Sequence, residues 1–166
     1  MVLTEQQAET VKSECRKIIG GEGSAESRLL EVCKLLRDRV DHYDWVGFYF
    51  VGDDRELVLG PYIGASTEHT RIGFGEGICG QAAESGEPFL VQDVSRENNY
   101  LSCSPQVMSE IVLPIHRGGE LVGELDIDSH RLEPFTEMDT RLLQDICDLV
   151  SPLLRSVPAE GYGPSV

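Results

Sequence analysis

The sequence has no apolar run near the roughly 18 residues that a membrane-spanning helix needs. Its first ten residues, MVLTEQQAET, offer neither a basic region nor an apolar signal core. Residence in the cytosol is the expectation. No CxxC and no Cys/His ligand spacing occurs among the five cysteines, which argues against a metal site and against a secreted disulfide scaffold. In a reducing compartment an exposed thiol is then catalytic or inert rather than a structural staple. Positive charge is also scarce. Fourteen basic residues face 29 acidic ones, a net charge of -15, and only Lys12, Lys17 and Lys34 are lysines. Such a chain repels phosphate backbones, so neither nucleic acid nor an anionic membrane is expected as a partner.

What is present suits one globular domain. A chain of 166 residues, 40% hydrophobic and 26% charged, can bury roughly two-thirds of its unfolded surface without staples. Residues 1–155 read as that domain, and 156–166, with the sequence SVPAEGYGPSV from Ser156's neighbourhood onward, read as an unstructured tail.

Local patterns then set out the elements. Thr4 followed by Gln7 has capping-box spacing and opens a helix to residue 19, which GGEGS breaks. A second helix runs from Ser24 to His42, with Leu29, Cys33, Leu36 and Val40 at intervals of three and four. DWVGFYFV and ELVLGPYI read as two strands joined by GDDR. HTRIGF is a poor strand, CGQAAESGE a short helix ending at Gly86, and PFLVQD a short strand. The polar connection that follows is long enough to be functional. EIVLPIHR and ELVGELDID flank Gly118-Gly119, a two-residue loop able to supply positive φ at both turn positions. Thr136 caps a final helix carrying Leu142, Leu143, Ile146, Cys147, Val150 and Leu153. Adjacent strands joined by tight turns predict an α+β fold: an antiparallel central β-sheet with helices packed on one side.

Chemistry concentrates in two thiols and a row of acids. Cys15, Cys33 and Cys147 fall on helices and read as small buried hydrophobes. Cys79 stands where GFGEGI gives way to the short helix, and a helix N-terminus lowers a thiol's pKa. Cys103 lies in the polar connection between Ser102 and Ser104. GEGICG matches the dinucleotide fingerprint in letters alone, since neither a buried strand before it nor a long crossover helix after it is indicated.

In ELVGELDIDS, Leu121, Leu125 and Ile127 alternate with Glu124, Asp126 and Asp128, so one strand face carries acid. Strict pairing across Gly118-Gly119 sets Glu110 opposite Ile127, on the other face from Asp126 and Asp128. A β-bulge would restore a common face, and Pro114 marks a plausible place for one.

These residues resemble a known family. DWVGFY, LVLGPY, TRIGFGEGICG, SEIVLPI and GELDIDS, in that order between Asp44 and Phe135, look like the signature blocks of the free methionine-(R)-sulfoxide reductases, proteins of the GAF fold. The resemblance implies a GAF-like sheet flanked by N- and C-terminal helices. It also implies that Cys103 is the catalytic cysteine, with Cys79 a second active-site cysteine. Glu110, Asp126 and Asp128 match the substrate-pocket acids, and Trp45 and Tyr49 its aromatic wall. One departure stands out: the family commonly has a further cysteine just before the RI of its TRIGFG block, where this chain has His69. Resolution of the oxidised enzyme then falls to Cys79 or to an external thiol.

The implied activity is reduction of free L-methionine (R)-S-oxide through a cysteine sulfenic acid and an intramolecular disulfide. Thioredoxin, supplied with electrons from NADPH, would be the external reductant, with no bound cofactor and no metal, and a homodimer is the implied assembly. A non-catalytic GAF module that binds a small molecule is the alternative, because fold alone does not separate the two.

Overall fold

A computed structural model describes residues 2–101 and 104–154. Cys103 and the tail 156–166 lie outside these residues. The order is α1 (Glu5–Ile19), α2 (Ala25–Arg39), β1 (Trp45–Val51), β2 (Glu56–Ile63), β3 (Arg71–Gly73), α3 (Gly77–Ser85), β4 (Phe89–Val91), β5 (Ser109–Arg117), β6 (Glu120–Ser129) and α4 (Glu137–Val150). Among the described residues no helix is long and apolar enough to cross a membrane.

The helix ends follow from their capping groups. Thr4 Oγ1 accepts from the Gln7 amide while the Thr4 amide donates to Gln7 Oε1, the reciprocal capping box, and Gly20 closes α1. Ser24 Oγ accepts from the Ser27 amide at the start of α2. That helix stops at Arg39, three residues short of the expected His42. The reason is tertiary: His42 Nε2 and the Tyr43 hydroxyl both meet Asp139 Oδ1 of α4, at 2.6 and 2.8 Å, and the backbone leaves the helix at Val40.

All six strands form one antiparallel sheet in the order β3-β2-β1-β6-β5-β4. HTRIGF does contribute a strand, because Arg71–Gly73 borrows the backbone ladder of Glu56–Val58 and the Arg71 guanidinium pairs with the Glu56 carboxylate. Three residues are too few to show any alternation in sequence.

The sheet separates two apolar layers rather than carrying all its helices on one side. One layer joins α1, α2 and α4 to Val46, Phe48, Phe50, Ile111, Leu113, Ile115, Leu125 and Ile127. The other joins α3 and its neighbouring loops to Trp45, Tyr49, Leu57, Leu59 and Val112. Each fully buried large side chain contributes roughly 1.5–3 kcal/mol. α3 is nine residues long and ends at Gly86, whose φ of 70° is the left-handed conformation that favours glycine. The three-residue β3 before it and the antiparallel sheet give no βαβ unit, so GEGICG forms no dinucleotide site.

Register on β5 and β6 decides what faces what. Gly118 and Gly119 turn with φ of 60° and 81°, and Arg117 pairs with Glu120. His116 pairs with Leu121, but Ile115 pairs with Gly123, leaving Val122 unopposed. This is the expected bulge, one residue beyond Pro114. Past it Glu110 lies opposite Asp128 and Val112 opposite Asp126, so all three acids share a face. The bulge also corrects the expected grouping on β6: Leu121 packs with the α3 layer while Leu125 and Ile127 pack with the long helices.

Candidate active site

The acids belong to the α3 face because their strand neighbours do. Trp45, Gly47 and Tyr49 of β1 pair with Asp128, Asp126 and Glu124 of β6. Gly47 is required there, since a Cβ would lie 2.4 Å from the Trp45 ring, which covers the strand at that point. The indole Nε1 donates to the Ala65 carbonyl, and the ring stacks on Tyr62 with centroids 5.3 Å apart.

α3 is pressed close to this face. A Cβ at Gly80 would stand 2.5 Å from the Gly73 carbonyl oxygen, so glycine permits the helix to approach the end of β3. Cys79, one residue earlier, then points at the acids: its thiol donates to Glu110 Oε1 at 3.8 Å. One donor atom each from Cys79, Glu110 and Asp126 lie within 4.8 Å of one another. They border a small cavity, about 10 Å³, whose walls include Tyr49, His69, Ile72 and Leu101. The Tyr49 hydroxyl donates to the His69 carbonyl at 3.0 Å, tying the strand to the segment that brings His69 to the cavity.

Cys79 is buried at the start of α3. Burial raises its thiol well above the usual cysteine range, and Asp126, Glu110 and Glu124 raise it further. The helix N-terminus therefore does not produce a resting thiolate here. The acids behave likewise. Burial lifts the carboxyl of Asp126, against the pull of its hydrogen bonds with Glu110 and Cys79. Burial and then the charge of Asp126 push Asp128 well up, and the same two causes act on Glu124. Both oxygens of Glu124, both of Asp128 and Oδ1 of Asp126 are buried without a hydrogen-bond partner. Such a cluster favours the protonated carboxyl over the free carboxylate and offers strong acceptors to any cation that enters.

Of the residues expected at the site, Cys79, Glu110, Asp126 and Tyr49 converge on one cavity. Asp128 and Trp45 sit beside it on the same sheet face as a cross-strand pair. Cys103 lies outside the described residues. Glu124 went unassigned in the sequence, although its parity with Asp126 and Asp128 already placed it on the acid face. Leu101 reaches the cavity with no local signal in the sequence, whereas His69 holds the place of the family's further cysteine and so already stood near the site.

Residues 24–155 match the GAF domain family. A free methionine-R-sulfoxide reductase of Escherichia coli is 32% identical over 149 residues, 90% of this chain and 89% of that protein. GAF domain-containing protein A of Dictyostelium discoideum is 36% identical over 146 residues, 88% of this chain and 91% of that protein. Among solved structures, the free methionine-R-sulfoxide reductase of Neisseria meningitidis in complex with its substrate superimposes with a TM-score of 0.84 at 31% identity, covering 92% of each chain. With its six-stranded antiparallel sheet, its two apolar layers and these relatives, the chain belongs to the GAF domain family and, within it, to the free methionine-R-sulfoxide reductases.

Proposed function

We propose that this protein reduces free L-methionine (R)-S-oxide to methionine, with Cys103 as the attacking thiol. The observation that carries the reading is the buried cluster of Glu110, Asp126 and Asp128 against Cys79, in a chain of this family. Sulfoxide oxygen leaves sulfur only when protonated, so thiolate attack needs an acid held against that oxygen. The raised carboxyls supply one. The remaining carboxylates hold the substrate's ammonium group, which peptide-bound methionine sulfoxide lacks, and this restricts the enzyme to the free amino acid.

Atoms balance in two steps. The Cys103 thiolate, one proton and the sulfoxide give Cys103 sulfenic acid and methionine. The Cys79 thiol then condenses with the sulfenic acid, forming a disulfide and releasing water. Cys79 reaches this step as a thiol, and Glu110, already accepting its hydrogen bond, takes the proton and passes it to the departing hydroxyl of the sulfenic acid, which leaves as water. A dithiol protein such as thioredoxin, drawing on NADPH in the cytosol, reduces the disulfide.

Consumption of R and S epimers of free L-methionine sulfoxide with thioredoxin, thioredoxin reductase and NADPH tests the reading. Turnover of the R epimer alone is expected. Cys103→Ser abolishes it, and Cys79→Ser completes one turnover and then stalls with thioredoxin. Binding of methionine without turnover, by either thioredoxin or dithiothreitol, would identify a binding module instead.

A further inference from the structure

We propose that Cys79, Glu110 and Asp126 form a binding site for a thiophilic divalent cation, Zn2+ above all. No sequence spacing announces it, because the three ligands come from α3, β5 and β6. Their donor atoms lie within 4.8 Å of one another. Tetrahedral Zn2+, with bonds of roughly 2.3 Å to sulfur and 2.0–2.2 Å to oxygen, sets ligand atoms roughly 3.3–3.7 Å apart. The Cys79 to Glu110 distance of 3.8 Å nearly meets this already, and small side-chain rotations close the rest.

Three further observations favour a cation. Asp126 Oδ1 is buried with no hydrogen-bond partner. Glu124 and Asp128, on the same strand face, bring two more buried carboxyls whose oxygens have no partner either. Finally, the adjoining cavity of about 10 Å³ is bordered by all three ligands. It has room for one water, the fourth ligand of an open zinc site. A thiol beside carboxylates selects a borderline-soft ion over Mg2+ or Ca2+.

The consequence for the proposed reductase, which rests on that reading, is reversible inhibition. Zn2+ would occupy the acids that receive the substrate's ammonium and engage the thiol that resolves the sulfenic acid.

Cobalt(II) reports the site without any activity assay, since a thiolate ligand gives a charge-transfer band in the near ultraviolet. The titration is made on reduced protein carrying Cys103→Ser, whose other three thiols besides Cys79 are packed in the helical core on the far side of the sheet. One equivalent of Co2+ is expected to develop the band, and Zn2+ to displace it. Adding Cys79→Ser is expected to remove the band. Glu110→Gln and Asp126→Asn each weaken Co2+ binding by at least about tenfold, with circular dichroism verifying that each variant is folded. Absence of the band in the Cys103→Ser protein, or its persistence after Cys79→Ser, would overturn the site. Band formation in a protein that turns over no sulfoxide leaves the metal site standing and removes only the inhibition.

Discussion

Glu124 is the side chain most at odds with its surroundings. Both oxygens are buried without a hydrogen bond, next to Asp126 and the Cys79 thiol. In the unfolded chain it ionises near pH 4.3, whereas in the fold burial and then Asp126 keep it protonated to higher pH. An acid raised in this way weakens the fold as pH climbs from its unfolded value through its folded one. Glu124→Met removes the group at similar volume and is expected to stabilise the protein by about 1–3 kcal/mol. The gain should widen between pH 4 and pH 8 in thermal melts, and a gap independent of pH would contradict the assignment. Asp126 and Asp128 carry the same burden but face the substrate in the proposed reaction, so the destabilisation they cause is retained for function. Cys79 illustrates the limit of local reasoning. Its place near a helix N-terminus suggested a lowered pKa, yet what surrounds it in three dimensions is burial and acid, which act in the opposite direction.

At the level of elements, the bulge on β6 and the anchor on α4 have separate consequences. The bulge ends at Gly123, where a Cβ would lie 2.4 Å from both the Tyr49 carbonyl oxygen and Leu154 Cδ2. Gly123→Ala must push β1 and β6 apart, and a loss of about 1–3 kcal/mol in denaturant unfolding is expected. The position of the bulge was legible as a need for common parity, with Pro114 as its marker, but the choice of Val122 depended on this packing. Asp139 ties α4 to the start of β1. Its Oδ2 accepts from the Thr136 amide at 2.7 Å, while Oδ1 meets His42 and Tyr43. Burial pulls its pKa up, but His42, the Thr136 amide and Tyr43 outweigh that and hold it below the usual value. Its contribution is therefore present above the ordinary pKa near 3.9 and is lost as pH falls through the lowered one. Asp139→Asn should cost about 1.5–3 kcal/mol near neutrality, with the difference from the parent shrinking below about pH 4 in urea titrations.

For the whole molecule, a net charge of -15 on 166 residues sets the behaviour in solution. Like charges spread over one compact body repel, and salt relieves this: at about 1 M the Debye length falls to about 3 Å. We expect NaCl at that concentration to stabilise the fold by about 1 kcal/mol, or about 2–4 °C in Tm. An unchanged Tm would mean that the surface acids are already compensated by their neighbours. The sequence alone specifies the helices with their caps, the two hairpins and the row of acids on β6, because each is written in spacings of two, three or four residues. It determined the family too, through five blocks in order. Packing in three dimensions puts α3 across the sheet from the other helices, and ends α2 early so that His42 reaches Asp139. It alone brought Cys79, Glu110 and Asp126 within 4.8 Å. Those outcomes depend on which surfaces can be buried together and on a single unopposed residue in one strand, and neither is a property of any short stretch of chain.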